Sequence, residues 1–466
     1  MRLILGVALI MVGGAGMGLA QALDMVDPSA LAGASSIPFH PDPHDLTNGQ
    51  AHSRFGIFGI DSIPNFNDHF FADGFDASGN PNRHWYTNTV GNPPQMGRTT
   101  TIHAPVVPIN VELDDVNGNP RFINGHQLLS LATPFVTPVL ESPVFSNAPY
   151  SSGVEPTQIS DAIQRAQYFD HMKPDWHTLL GGETAPAYTM HVRQAAGCPT
   201  GPFAAGCNYV FALNPDGTCC RFILIQINAF INGFGGAVVT DIVGNVITTQ
   251  DISTFLFPNV FLYFGNTRQC CVLGFHTYFF QPSSDPEKRW VLNYSSWITP
   301  GLFGPNFLNV TAVSHEIAET YNDPFVVSDG VHDLTPWWLS PNGNCQDNLE
   351  TGDVIEGLPH STFPVVMPNG LTYHPQNEAL LQWFEFQSPS DALSGAYSYP
   401  DTSTRPRSRT HGVRRKGRRR VNLKVGDSRS SQAASLASAG AHVREQSANP
   451  TLRSVRCEYR LQSPGA

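Results

Sequence analysis

The sequence predicts an α+β fold, a strand-rich body built around one buried helix that carries metal-ligand residues. Three observations predict it. Between residues 188 and 299, short runs rich in β-branched and aromatic residues are bounded by Gly, Pro, Asn or Asp. Segments 158–172 and 306–321 instead repeat apolar residues at helical spacing. The second of these holds His315-Glu316-Ile317-Ala318-Glu319, where a histidine and a glutamate four apart project from one helix face.

The elements follow in order. Met1-Arg2 precedes an apolar run to Ala20 that closes with Ala20-Gln21-Ala22, so residues 1–22 read as a secretory signal peptide, with a retained membrane anchor as the alternative. Residues 23–97 are rich in Pro, Asn, Asp, His and Gly and read as an irregular arm whose scattered aromatics, Phe66 and Trp85 among them, dock on the body. The body spans 98–401. It opens with an extended segment over 101–113 and a turn over 115–119. A helix over 158–172 places Ile159, Ala162, Ile163, Ala166 and Phe169 on one stripe. Strands are expected over 188–191, 209–213, 221–228, 236–240, 257–264, 271–280 and 290–297. The motif helix over 306–321 comes next, then an acidic loop, a short helix over 375–383 and a closing strand or coil over 391–400. Residues 402–466 are rich in Arg and Ser and poor in aromatics, a composition that cannot bury enough surface to fold alone.

Charge divides the chain in the same place. Of 27 Lys+Arg and 38 Asp+Glu, 15 and 3 fall after Thr402, which leaves 12 and 35 in the first 402 residues. A body whose only lysines are Lys173 and Lys288 is expected not to bind nucleic acid. No later apolar stretch is long enough to span a bilayer, so no membrane association is expected once the signal is removed. The basic tail reads either as a tether to anionic surface polymers or as a plain disordered appendage.

The eight cysteines fit export to an oxidising compartment. Cys198 and Cys207 bracket a short Pro/Gly loop and are expected partners. The adjacent pairs Cys219-Cys220 and Cys270-Cys271 each begin a strand-like run, and a cross-link between those two runs is expected.

On a helical wheel, Val310, Val313, Ile317 and Tyr321 form one stripe, while Leu308, Thr311, Ala312, His315 and Glu319 lie opposite. A helix apolar on both sides is buried on both, which puts His315 and Glu319 inside the protein. An unpaired carboxylate is costly there, and a metal ion or an arginine must compensate. The residue before Pro324 ends the helix. Some thirty residues on, Asn348-Leu349-Glu350-Thr351-Gly352-Asp353-Val354-Ile355-Glu356 spaces three acids around a glycine, and Glu350 or Asp353 is the candidate third ligand. Glu316 adjoins the ligand but points elsewhere, the position of a general base for a metal-bound water. Zinc is the first candidate metal. A set of two carboxylates and one histidine also suits manganese, iron or calcium.

The string Ser314-His315-Glu316-Ile317-Ala318-Glu319-Thr320-Tyr321-Asn322-Asp323-Pro324, followed by Glu350-Thr351-Gly352-Asp353-Val354-Ile355-Glu356-Gly357, resembles the secreted phosphate-induced, EXORDIUM-like proteins. The likeness covers residues 312–357. It implies an extracellular protein linked to growth and cell-wall behaviour, with His315, Glu316, Glu319, Glu350, Asp353 and Glu356 at motif positions. Where that family has Cys this chain has Ile355, and Cys345 lies upstream instead. By fold-level analogy, the helix motif also suggests the zincin-like layout of zinc peptidases, a sheet over an active-site helix.

Other residues carry less. His276, in an apolar strand, reads more readily as a core histidine than as a cleft residue, and His374 as polar surface. Trp337-Trp338 would either stack on sugar rings or cap the core. No G-x-S-x-G elbow, phosphate loop or dinucleotide fingerprint occurs, so serine-hydrolase and nucleotide chemistry have no support. The expected function is a secreted metal-dependent hydrolase acting on a peptide or a cell-surface polymer. The alternative is a non-catalytic extracellular or wall-associated protein that uses the same cluster as a structural staple. Oligomeric state is not readable from the sequence.

Overall fold

A long central strand organises the molecule, because apolar residues along most of it are buried on both of its faces. The computed structural model describes residues 54–55, 60–67, 69–75, 81–85, 89–149, 155–169, 172–198, 206–265, 267, 270–281, 287–304, 307–325, 338–339, 345–346, 350–353, 355–356, 361–381 and 398–399. In chain order, the strands of its two larger sheets are β1 (Ile60–Asp61), β2 (Thr99–Asp114), β3 (Leu129–Ser130), β4 (His177–Thr184), β5 (Tyr188–Arg193), β6 (Tyr209–Ala212), β7 (Phe222–Gln226), β8 (Ile252–Pro258), β9 (Val260–Tyr263), β10 (Cys270–Val272), β11 (Gly274–Gln281) and β12 (Glu287–Trp297). The helices are α1 (Thr133–Leu140), α2 (Ile159–Gln167), α3 (Ile227–Val243) and α4 (Thr311–Asn322).

The principal sheet has eight strands. Its main path runs β3-β2-β8-β12-β11, with β4 and β5 alongside β2 and β1 alongside β12. The pairs β2–β4, β2–β5, β2–β8 and β8–β12 are parallel, whereas β11 joins β12 antiparallel. A second sheet runs β6-β7-β9-β10. The fold is α+β with mixed sheets.

Period-two alternation sorts the side chains into two layers. From β2, Ile102, Ala104 and Val106 join a core with Ile159 and Ile163 of α2 and Val313, Ile317 and Tyr321 of α4. Val107, Ile109, Val111 and Leu113 of β2 join the opposite core, with Phe230 and Phe234 of α3 and residues of the second sheet. The same parity holds on β11. Tyr278 faces the α4 side, while Phe275 and Phe279 face α3. His276, in phase with Tyr278, therefore lies on the α4 face.

The extended segment over 101–113 and the turn after it form as expected. The turn is tied by Asp115, whose Oδ1 accepts from the amides of Asn117 and Asn119 at 2.8 and 2.9 Å. Phe66 of the N-terminal arm docks on the body, its ring 5.8 Å from that of Tyr168. Among the described residues no helix is long and apolar enough to cross a membrane. Residues 1–22 and the tail 402–466 lie outside the described residues, as does Trp337, and of Trp338 only its short strand with Leu339 is described.

Four expectations are corrected. Residues 236–240 are not a strand but the later half of α3. Val238, Val239 and Thr240 favour strands on their own, yet Ile227, Phe230, Phe234, Ala237, Val238 and Asp241 are buried at helical spacing. The Gln226 side chain starts that helix by accepting from the amides of Asn228 and Ala229. Residues 375–380 of the helix expected over 375–383 are not helical; Leu381 is, and 382–383 lie outside the described residues. Glu378–Ala379 is a strand paired with Ser398–Tyr399, because tertiary pairing overrides a weak local periodicity. The two cysteine pairs do not cross-link. Each closes on itself, Cys219 to Cys220 and Cys270 to Cys271, while Cys198 joins Cys207 as expected. Strand β9 lies between β7 and β10, which separates the pairs by about two strand spacings of 4.8 Å, beyond disulfide reach. The fourth is an omission: α1 and β4 gave no clear periodic signal.

Aromatic packing concentrates under α3. The Phe230 ring lies 4.6 Å from Tyr294, 5.2 Å from Phe257 and 5.4 Å from Phe234, and is fully buried. Phe230→Ala is expected to lower unfolding free energy by about 3–5 kcal/mol in urea titration, since a cavity in this rigid cluster cannot collapse.

Candidate metal centre

Helix α4 is the centre of the site, and all twelve of its residues are buried. One flank of it packs on β11 and β12, the other on α2. The expected two-sided burial is therefore found, with His315, Glu316 and Glu319 inside. The helix ends at Asp323 before Pro324, as the proline requires.

Three other segments reach the same place. From β11, His276 projects toward the helix and is fully buried. The acidic turn brings Glu350, Asp353 and Glu356, and Glu378 follows from the strand Glu378–Ala379. Backbone bonds hold the turn. Glu319 Oε1 accepts from the amides of Gly352 (3.0 Å) and Asp353 (3.2 Å), and Gln376 donates to the Gly352 carbonyl at 2.9 Å. Gly352 and Gly274 permit the approach. A Cβ on Gly352 would stand 2.5 Å from His315 Nδ1, and one on Gly274 2.5 Å from Glu316 Oε1.

The donor atoms converge. His315 Nε2 lies 3.1 Å from Glu319 Oε2 and 3.5 Å from Asp353 Oδ1. His276 Nδ1 lies 3.5 Å from the same Glu319 Oε2, 3.6 Å from Glu316 Oε2 and 4.0 Å from Glu350 Oε2. The two candidates for the third ligand thus attend different histidines. None of the nitrogens of His276 or His315, and neither oxygen of Glu316, makes a hydrogen bond. At this centre two sets have all their donors within 4.8 Å of one another: His276, Glu319 and Glu350, and His315, Glu316 and Glu319. Donors about 2.1 Å from one ion at tetrahedral angles stand roughly 3.4 Å apart. The spacing and the unbonded donor atoms fit a divalent cation, and the cluster can hold one.

The electrostatics describe the same need. Burial pushes Glu316 up to about 8, with Glu319 adding to the rise and the histidines opposing it. Burial and the Glu319 charge raise Glu350 well above the usual carboxylate range, and burial raises Glu378 likewise. Burial acts against charge on Glu319 too, but His315 and His276 hold it well below its ordinary value. Both imidazoles are raised well above 6.5, since neighbouring carboxylates outweigh desolvation. Protons fill the role of a cation when none is bound.

All the expected site residues, His315, Glu316, Glu319, Glu350 and Asp353, meet here. His276 is the correction. It is not an ordinary core histidine, because its ring is surrounded by three carboxylates rather than by a single partner. The alternation of β11 offered a signal, since His276 falls in phase with Tyr278 and out of phase with the apolar Phe275 and Phe279. His374 stays apart near the start of α4, where its amide donates to Asn309 and its carbonyl accepts from Thr311.

No protein-family model, no curated protein and no solved structure matches this chain. The resemblance over 312–357 accordingly rests on its motif residues alone.

The shifts fix a pH dependence. A group with a raised folded-state pKa contributes stability that is complete below its unfolded value and lost as pH rises through the folded one. His276 and His315 rise from 6.5 and Glu316 from 4.5 to about 8, and Glu350 and Glu378 act in the same direction. Glu319 acts oppositely, and only as pH falls below 4.5. With chelator present, the melting temperature should therefore fall as pH rises from 6.5 through 8. Added Zn2+ should remove that fall, because metal binds the deprotonated ligands. Melting curves across this range, with EDTA and with zinc, check both; a flat EDTA series contradicts the assignment.

Proposed function

We propose that this chain is an exported metal-dependent hydrolase with a peptide bond as its target. One observation carries the reading. His315 and Glu319 present unbonded donor atoms 3.1 Å apart from one helix face, and Glu316 stands beside them. The signal-like first 22 residues and three disulfides support export.

His315 and Glu319 would hold the ion, with a carboxylate from the Glu350–Asp353 turn completing the ligand set, and zinc is the first candidate. A divalent ion supplies Lewis acidity and brings the pKa of a bound water near 7. The residues supply the rest. Glu319 is fixed by two backbone amides, so its free oxygen stays aimed at the site. Glu316 has no hydrogen-bond partner to surrender before it accepts a proton. Burial keeps its affinity for that proton high, and a nearby cation lowers it toward the working range. As base, Glu316 takes a proton from water while hydroxide adds to the carbonyl carbon. It then returns that proton to the departing amine as the C–N bond breaks.

A second reading is favoured by the burial itself. All of α4 is inaccessible, as a non-catalytic staple in an extracellular or wall-associated protein would be. One pair of variants separates the two. Under the hydrolase reading, Glu316→Gln lowers cleavage of a peptide library by at least 10²-fold, the usual scale for a general base, while metal content is kept. Under the staple reading no cleavage occurs in the wild type, and His315→Ala lowers the melting temperature in proportion to metal lost. Activity assays with parallel elemental analysis decide.

A further inference from the structure

We infer that the centre holds two divalent ions and that Glu319 bridges them. The inference rests on the metal-dependent reading above and extends it from one ion to two.

Both histidines approach a single oxygen, Glu319 Oε2, and they come from different elements. His315 reaches it from α4 at 3.1 Å and His276 from β11 at 3.5 Å. The other Glu319 oxygen is already engaged by the amides of Gly352 and Asp353. Oε2 makes no hydrogen bond and has two lone pairs, one for each side.

The remaining donors divide with the histidines. Glu350 lies with His276, and Asp353, 3.5 Å from His315 Nε2, lies with His315, which leaves Glu316 free to act as the base. Donors on one ion, at bond lengths near 2.1 Å, are at most about 4.2 Å apart even when opposite one another. Around α4 the mutually close donors among the described residues form two sets that share Glu319, not one set containing both histidines. A shared carboxylate between two such sets is the arrangement of two-metal centres, whose ions stand about 3.5–4 Å apart.

Charge favours the same count. Glu316, Glu319, Glu350 and Glu378 are all enclosed, and the ion pairs that the first three make among the described residues are with histidine. One divalent ion leaves at least two of these four carboxylates uncompensated once the imidazoles turn neutral to act as ligands, and Asp353 is enclosed beside them, so a second ion is favoured. In this arrangement His276 is a ligand, the role that accounts for a ring with no hydrogen bond amid three carboxylates. Glu316 stays beside His315 as the base and also faces the second ion, its Oε2 3.6 Å from His276 Nδ1.

The test is metal stoichiometry in the secreted full-length protein. Chelated protein is loaded with Mn2+ alone, dialysed, and measured by native mass spectrometry and electron paramagnetic resonance. Two ions per chain with an exchange-coupled signal are expected, and His276→Ala should keep one ion and lose the coupling. One ion per chain in the wild type overturns the inference and leaves the hydrolase reading standing. No bound ion overturns both. Two ions without coupling also overturn it, since they would occupy separated positions. If the His276 variant fails to fold, the wild-type signal still decides.

Discussion

The enclosure of several carboxylates around two imidazoles is the constraint on which the rest of the structure depends. Moving one carboxylate from water to a low-dielectric interior costs several kcal/mol after relaxation. Here Glu316, Glu319, Glu350 and Glu378 are enclosed within one neighbourhood. Removing one member of a buried pair typically costs 3–5 kcal/mol because the other is left uncompensated. Such a cluster persists only when something positive occupies its middle. Protons do so in the ion-free protein, which is why burial drives Glu316 up to about 8 while the imidazoles hold theirs. A divalent cation does it with fixed geometry.

The fold delivers these groups by simple periodicities. Alternation along β11 points His276 at the helix while its neighbours Phe275 and Phe279 fill the opposite core. On β12, Asn293 falls on the helix side between Leu292 and Tyr294, and its Oδ1 lies 2.8 Å from the Thr320 hydroxyl. The i, i+4 spacing on α4 then brings His315 and Glu319 to one level. Two glycines set the clearances, Gly274 under Glu316 and Gly352 under His315, and a methyl group at either would sit inside the contact distance of the functional side chain. The 3.1 Å approach at the centre is made within α4, between residues one helical turn apart.

Much of this was legible in the sequence, for identifiable reasons. The motif helix shows because a run apolar on both sides and bearing His, Glu and Glu has only a few physical resolutions. Its termination shows because Pro324 forbids the preceding residue a helical conformation. The long strand β2 shows because apolar residues alternate along its later part, at Ile109, Val111 and Leu113. What failed to show depended on partners distant in sequence. Helix α3 was hidden by Val238-Val239-Thr240, whose intrinsic preference is for strands, until the sheet offered a surface for Phe230 and Phe234. The strand Glu378–Ala379 depends on Ser398–Tyr399, some twenty residues away. His276 was ambiguous for the same reason. A single histidine in an apolar strand acquires meaning only from what faces it, and what faces it are Glu316, Glu319 and Glu350, all far along the chain.

Burial also bears on both proposed uses of this centre. A site closed to water strengthens every electrostatic term within it, which serves catalysis and structural stapling alike. The two uses differ in what they ask of Glu316. A staple has no need of a carboxylate that makes no hydrogen bond and is held near neutrality by burial, since an apolar residue there would remove a desolvation penalty. A hydrolytic centre needs such a group, placed beside a ligand without being consumed by it. Glu316 has that position, with both oxygens free of hydrogen bonds and Gly274 clearing the space against it. Under the proposed hydrolase reading, proton transfer accounts for the cost of enclosing it.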